Sequence, residues 1–186
     1  MAQPAGGYKV GDKATDFSLK NVDGNTVSMA GNPEARGYIV VFTCNTCPFA
    51  QAYESRIIAL HKKYAPQGYS VIAINPNDPV SSPGDSYEKM QERANQKKYP
   101  FPYLVDETQQ VARTYGATRT PHVFILKKQN DDFVVQYIGT IDDNSQDASD
   151  VDQKFVENAM AQVITGKPVA NSVTKAIGCA IKWKNS

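Results

Sequence analysis

Tyr38-Ile39-Val40-Val41-Phe42-Thr43-Cys44-Asn45-Thr46-Cys47-Pro48-Phe49 decides how this chain folds. An apolar run ends in two cysteines three positions apart, and a helix-patterned segment begins at once. Tyr38 to Phe42 is apolar at every position, as a strand covered on both faces is. Downstream, Phe49, Tyr53, Ile57, Leu60 and Tyr64 recur at steps of three and four, the apolar stripe of an amphipathic helix. Pro66 and Gly68 close it. Tyr69-Ser70-Val71-Ile72-Ala73-Ile74-Asn75 reads as a second buried strand. Strand, helix and strand of this length form a βαβ unit, which sets the two strands parallel with a right-handed crossover. The expected fold class is α/β.

In this context the Cys-x-x-Cys pair reads as thiol redox chemistry. With Cys44 at the helix entrance, Cys47 follows one turn later on nearly the same face, within disulfide reach. Unpaired first-turn N–H groups and the helix dipole stabilise a thiolate there. Cys44 is therefore expected to have a lowered pKa and to attack, with Cys47 resolving the mixed disulfide. Pro48 is tolerated only in a first turn, so the helix cannot begin much before Cys44. A zinc half-site and a purely structural disulfide are the competing readings. Structural zinc needs four Cys or His ligands, and the chain has no second Cys-x-x-Cys or paired histidine. Haem attachment would place histidine after Cys47, where Pro48 stands. A tight disulfide loop gains less chain entropy than a long one. No metal and no cofactor is expected.

Before the motif, Phe17 and Leu19 alternate with polar neighbours, Asp23-Gly24-Asn25 signals a turn, and Thr26 to Met29 returns as a hairpin strand. Residues 1–8 are small and polar and are expected to be a flexible N-terminus, with residues 9–186 a single domain. After the second strand, the loop Asn75 to Gly84 holds Pro76, Pro79 and Pro83, at the sheet edge where sites usually lie. Asp85 with Glu88 predicts a capping box for a helix to about Lys98. Tyr99 to Val105 is extended around Pro100 and Pro102. Asp106 with Gln109 predicts a short helix ending at Gly116. His122 to Leu126 and Phe133 to Gly139 read as a hairpin. Val151 to Ile164 reads as the last helix, with Phe155, Ala159 and Val163 on one stripe.

The chain has 186 residues, 41% apolar and 21% charged, with a net charge of +1. That balance argues against an electrostatic nucleic-acid or membrane-surface binder. No apolar run approaches the roughly 20 residues of a membrane span. Three cysteines are too few for a disulfide-stapled scaffold.

On these residues the sequence resembles the thioredoxin-like superfamily, and more closely the bacterial thioredoxin-family and redoxin proteins related to AhpC/TSA. The matching features are Gly11 to Leu19, Cys44-Asn45-Thr46-Cys47-Pro48, Asn75 to Asp78, Thr120-Pro121, and Ile177-Gly178-Cys179-Ala180-Ile181-Lys182-Trp183. The resemblance implies a central mixed β-sheet flanked by helices, with an N-terminal β-hairpin and a C-terminal extension. It also implies a cis bond before Pro121, packed beside the cysteines, and a partner chain seated on the backbone of Thr120. Thr43 stands where these proteins usually have tryptophan, Thr15 replaces a proline, and no acidic residue ends the Tyr38–Phe42 strand.

Four further features have plainer readings. His122 is expected to be a packed or edge residue, with tuning of a nearby thiolate as the alternative, and His61 to lie on a solvated face. Cys179 is expected to be a buried, inert thiol, with a distant resolving cysteine and an intermolecular disulfide as the alternatives. The acidic run from Asp142 to Asp152 lacks the EF-hand spacing and is expected to be a solvated loop.

The expected function is a thiol–disulfide oxidoreductase working through a Cys44/Cys47 dithiol, with Thr120 and Pro121 binding the substrate chain. Its partners would be disulfide-bearing or dithiol proteins, with no nucleic acid and no membrane span; the oligomeric state is open. The alternatives are a thiol-dependent peroxidase and a non-catalytic metal- or partner-binding module. A periplasmic or otherwise exported location is expected, with the cytoplasm as the alternative.

Overall fold

The computed structural model describes residues 6–185. In chain order the strands are β1 (Lys13–Ala14), β2 (Leu19–Asn21), β3 (Thr26–Val27), β4 (Gly37–Phe42), β5 (Tyr69–Asn75), β6 (Tyr103–Val105), β7 (Arg119–Thr120), β8 (His122–Gln129), β9 (Asp132–Gly139) and β10 (Cys179–Ala180). The helices are α1 (Pro48–Tyr64), α2 (Tyr87–Lys97), α3 (Gln110–Tyr115) and α4 (Phe155–Ile164). Eight strands make one mixed sheet in the order β1-β9-β8-β4-β5-β6-β2-β3, and β10 pairs with β7 apart from it.

β4 and β5 are parallel and adjacent across the α1 crossover, and β8 lies antiparallel on the other side of β4. β4 is therefore central, which is why every one of its residues is buried. Its alternation feeds two cores. Ile39 and Val41 pack with Tyr53, Ile57 and Leu60 of α1 and with Val156 and Met160 of α4. Tyr38, Val40 and Phe42 pack on the opposite face with Met29, Tyr115, Phe124 and Ile181. The thioredoxin-like α/β fold, its hairpin (β2 with β3) and its C-terminal extension match expectation.

Several local expectations need correction. Residues 1–5 lie outside the described residues, but Tyr8 is not flexible: it is buried with its ring 4.9 Å from Tyr115. The last helix begins at Phe155 instead of Val151, after a separate turn at Ala148–Asp150. His61 is half-buried, not solvated, and its Nδ1 accepts the Val71 N–H at 3.1 Å. Asp142 is not part of a solvated loop. It is 5% exposed and accepts from Tyr53 at 2.7 Å and Arg56 at 2.8 Å.

The extension runs back along the sheet before reaching the cysteines. Ile138 N–H donates to Ser172 O at 2.9 Å, and Thr174 N–H donates to Ile138 O at 3.0 Å.

Candidate active site

Just past β4, Thr43 still pairs with β5, its N–H donating to Ile74 O at 2.9 Å. The chain then leaves the sheet as Cys44-Asn45-Thr46-Cys47, and Pro48 opens α1. Proline at the first helical position makes Cys47 the N-cap residue, with extended backbone at φ −79° and ψ 125°. The expectation that Cys44 sits at the helix entrance is therefore wrong; Cys47 does.

Asp85 holds this loop. Its carboxylate accepts from Asn45 N–H at 2.7 Å, Thr46 Oγ1 at 2.8 Å, Ser82 Oγ at 2.7 Å, Asn75 Nδ2 at 3.1 Å and Asn77 Nδ2 at 3.0 Å. Burial alone would raise its pKa, but the donors from Asn77, Asn45, Ser82 and Thr46 outweigh it and hold the group ionised below the ordinary range. Asp85 is thus not the cap of α2. Ser86 is, accepting from Lys89 N–H at 3.2 Å. The loop is completed by Tyr103, whose hydroxyl donates to Asn45 Oδ1 at 2.8 Å, and by Gln51 Nε2 on Asn45 O at 2.7 Å.

Cys44 is 2% exposed, and its sulfur lies 3.4 Å from the Thr120 hydroxyl. Its pKa is raised, first by burial and then by the Asp85 charge. The Thr120 hydroxyl and the N–H groups of Cys47 and Thr46 offset this only in part. A lowered pKa was expected from the helix dipole, but that dipole points at Cys47.

Cys47 is joined to Cys179 by a disulfide that spans 132 residues of sequence. Cys44 is the free cysteine, so a Cys44–Cys47 bond is not what the structure holds. The inert role expected for Cys179 fails for the same reason. Cys47 Sγ also lies 3.4 Å from Thr120 O. A disulfide sulfur carries no proton, so this is a packing contact that becomes hydrogen-bond geometry only in the reduced thiol.

The Thr120–Pro121 peptide bond is cis and stands beside both sulfurs. β10 pairs antiparallel with β7, placing Cys179 opposite Thr120 and Ala180 opposite Arg119. Beyond β10, Ile181 N–H donates to Thr118 O at 3.2 Å. Lys182 N–H donates to Asn77 Oδ1 at 2.9 Å, and Lys182 O accepts from Asp78 N–H at 2.8 Å and Gln109 Nε2 at 2.9 Å. His122 is packed, as expected: its Nδ1 accepts the Thr118 N–H at 3.2 Å, and burial pushes its pKa down to about 4. It is neutral at physiological pH and supplies no positive charge to a thiolate.

The structure therefore brings Cys44, Cys47, Thr120 and Pro121 together. Sequence reading missed Asp85, Asn77 and the pairing of Cys179. An acid just after a proline-rich loop at a strand's carboxyl end was the available signal for Asp85.

A model of the AhpC/TSA family matches residues 10–143. The chain belongs to the AhpC/TSA family. Within the range of this AhpC/TSA match lie both motif cysteines and Thr120-Pro121; Cys179 is outside it. A solved structure of an uncharacterized conserved protein from Geobacillus kaustophilus is 37% identical, with 96% of this chain and 94% of that chain covered and a TM-score of 0.88. A hypothetical protein from Sinorhizobium meliloti is 31% identical over the whole of both chains, also with a TM-score of 0.88. Among curated proteins, the thiol-disulfide oxidoreductase ResA of Geobacillus thermodenitrificans is 27% identical, covering 64% of this chain and 64% of its own length. The chain spans just under two thirds of the length of the curated relatives it matches.

Proposed function

We propose that this AhpC/TSA-family protein is a thiol–disulfide oxidoreductase that exchanges disulfides with protein partners through Cys44 and Cys47, with Thr120 and Pro121 seating the partner chain. One observation carries this reading: an extended, cysteine-bearing strand is paired to Thr120 and disulfide-bonded to Cys47, with the Cys44 sulfur on the same threonine. The resemblance to ResA enzymes supports it.

The geometry favours Cys47 as the sulfur that meets the partner. It stands at the α1 N-terminus, where first-turn amides and the dipole favour a thiolate, and it already bonds a strand on that edge. Cys44, held against the Thr120 hydroxyl, has a raised pKa and is suited to the resolving step. In the reducing direction, once an external dithiol has reduced the Cys47–Cys179 bond, the Cys47 thiolate attacks a partner disulfide and one partner sulfur leaves as a thiolate. The Cys44 thiolate then attacks Cys47 Sγ, and the second partner sulfur leaves. Two electrons pass to the partner, the dithiol's protons end on its thiols, and a Cys44–Cys47 disulfide remains. The reverse sequence oxidises a partner dithiol. An exported, oxidising compartment suits a site built from the chain's three cysteines.

The test is to trap the intermediate. In a Cys179→Ser background, Cys44→Ser should accumulate a mixed disulfide at Cys47 with a model disulfide protein, and Cys47→Ser should form none. Equal capture by Cys47→Ser would overturn the assignment. The family match favours a second reading, a thiol peroxidase. It predicts hydrogen peroxide turnover well above that of a simple dithiol, lost in Cys47→Ser.

A further inference from the structure

We infer that residues 177–183 are an internal occupant of the partner-docking edge, and that this edge selects, in a partner, an extended segment of the form Gly-Cys-any-apolar. The inference rests on the proposed role of Thr120 as the partner's seat. It goes beyond that role by assigning the ligand's sequence class and the contact that competes with it.

The five positions from Gly178 to Lys182 are held differently. Gly178 lies against Thr120, and a Cβ there would collide with the Thr120 carbonyl. Its backbone is not among the positive-φ glycines, so space, not conformation, demands glycine. Cys179 falls opposite Thr120 and meets the Cys47 sulfur. Ala180 is exposed and meets no size limit. Ile181 is 4% exposed and fills the apolar core beneath the site. Lys182 is held through its main chain, N–H to Asn77 and carbonyl to Asp78 and Gln109, while its side chain faces solvent. Main-chain pairing with pockets for alternate side chains is how a sheet edge recognises a peptide.

The occupant can be released without net redox change. Cys44, Cys47 and Cys179 share one cluster. The Cys44 thiolate attacks Cys47 Sγ, the Cys47–Cys179 bond breaks, a Cys44–Cys47 bond forms, and Cys179 leaves as a thiolate that takes up the proton Cys44 gave up. The strand is then held by hydrogen bonds alone, and a partner segment can replace it.

The test uses the full chain carrying Cys179→Ser and Gly178→Val, and a labelled peptide of residues 176–183 carrying Cys179→Ser. The double variant should bind the peptide saturably and about tenfold more tightly than oxidised wild type. Peptide copies with Gly178→Val or Ile181→Asp should lose about tenfold in affinity, and a Lys182→Ala copy less than about twofold. If the double variant does not fold, Cys179→Ser alone should bind the peptide more tightly than oxidised wild type and show faster amide exchange at Ile181. Absence of peptide binding by the folded variants, or indifference to the glycine and isoleucine changes, overturns the inference. Oxidised glutathione separates the two failures. If these variants still exchange with it through Cys44 and Cys47, only the selected segment is wrong; if wild type shows no such exchange, the proposed function itself falls.

Discussion

Asp85 and His122 show how single residues set the chemistry of this site. Asp85 accepts five hydrogen bonds, two of them from Asn45 and Thr46 of the Cys44–Cys47 loop. Its charge also raises the Cys44 pKa, second to burial. In a Cys47→Ser/Cys179→Ser background, where Cys44 alone titrates, alkylation of Cys44 should rise only at pH above the range of a free thiol. Asp85→Asn should move that profile to lower pH, and should cost about 1–3 kcal/mol in urea unfolding because its donors lose an acceptor. His122 makes a second pH prediction. Its folded pKa is about 4 against an ordinary 6.5, so the unfolded chain takes up the proton first as pH falls. The stability it secures is fully present above pH 6.5 and lost toward pH 4, a change on the order of 3 kcal/mol. Urea midpoints from pH 7 to pH 4 should show this slope, and His122→Phe should remove that part of it. The packing of His122 fits one of the two plain readings of that position, a packed or edge residue of a strand. Asp85 was not legible in the sequence, because a capping motif and a buried acceptor look alike until the loop closes over it.

At the scale of elements, β4, α1 and β5 were legible because their periods are unambiguous: apolar throughout, then steps of three and four, then apolar again. One residue on α1 breaks that pattern for a reason. Glu54 is buried on the inner face and is paired with Arg93 of α2 and Tyr99, at 2.5 Å and 2.6 Å. Arg93→Met should leave that carboxylate short of its cation and cost about 3 kcal/mol, read as a lower urea midpoint. At the start of β4, a Cβ on Gly37 would collide with the Leu126 carbonyl and the Tyr69 ring. Gly37→Ala should destabilise the folded protein by about 1–3 kcal/mol in the same assay. The start of α1 was misplaced by one turn because the Cys-x-x-Cys spacing was read ahead of Pro48. β10 was invisible for a different reason. A two-residue strand has no period to detect, and its pairing depends on β7, which is equally short.

At the scale of the whole molecule, the sheet order and the C-terminal wrap bring residues from opposite ends of the sequence to one edge. The fold class was readable because the βαβ unit and the two hairpins are each local signals. The closure of the site was not, because Cys47 and Cys179 lie 132 residues apart and nothing between them announces the meeting. Three cysteines therefore share one site, with one bond present and one proposed. The most direct test is to equilibrate the wild type and Cys44→Ser across a series of dithiol and disulfide buffers, alkylate, and weigh each cysteine-containing fragment. In the wild type, Cys44 and Cys47 should lose and regain their free thiols together, and Cys44→Ser should instead retain a buffer adduct or the Cys179 bond at Cys47. If Cys44 stays free at every potential while only Cys47 and Cys179 respond, the Cys44/Cys47 dithiol is not the working pair.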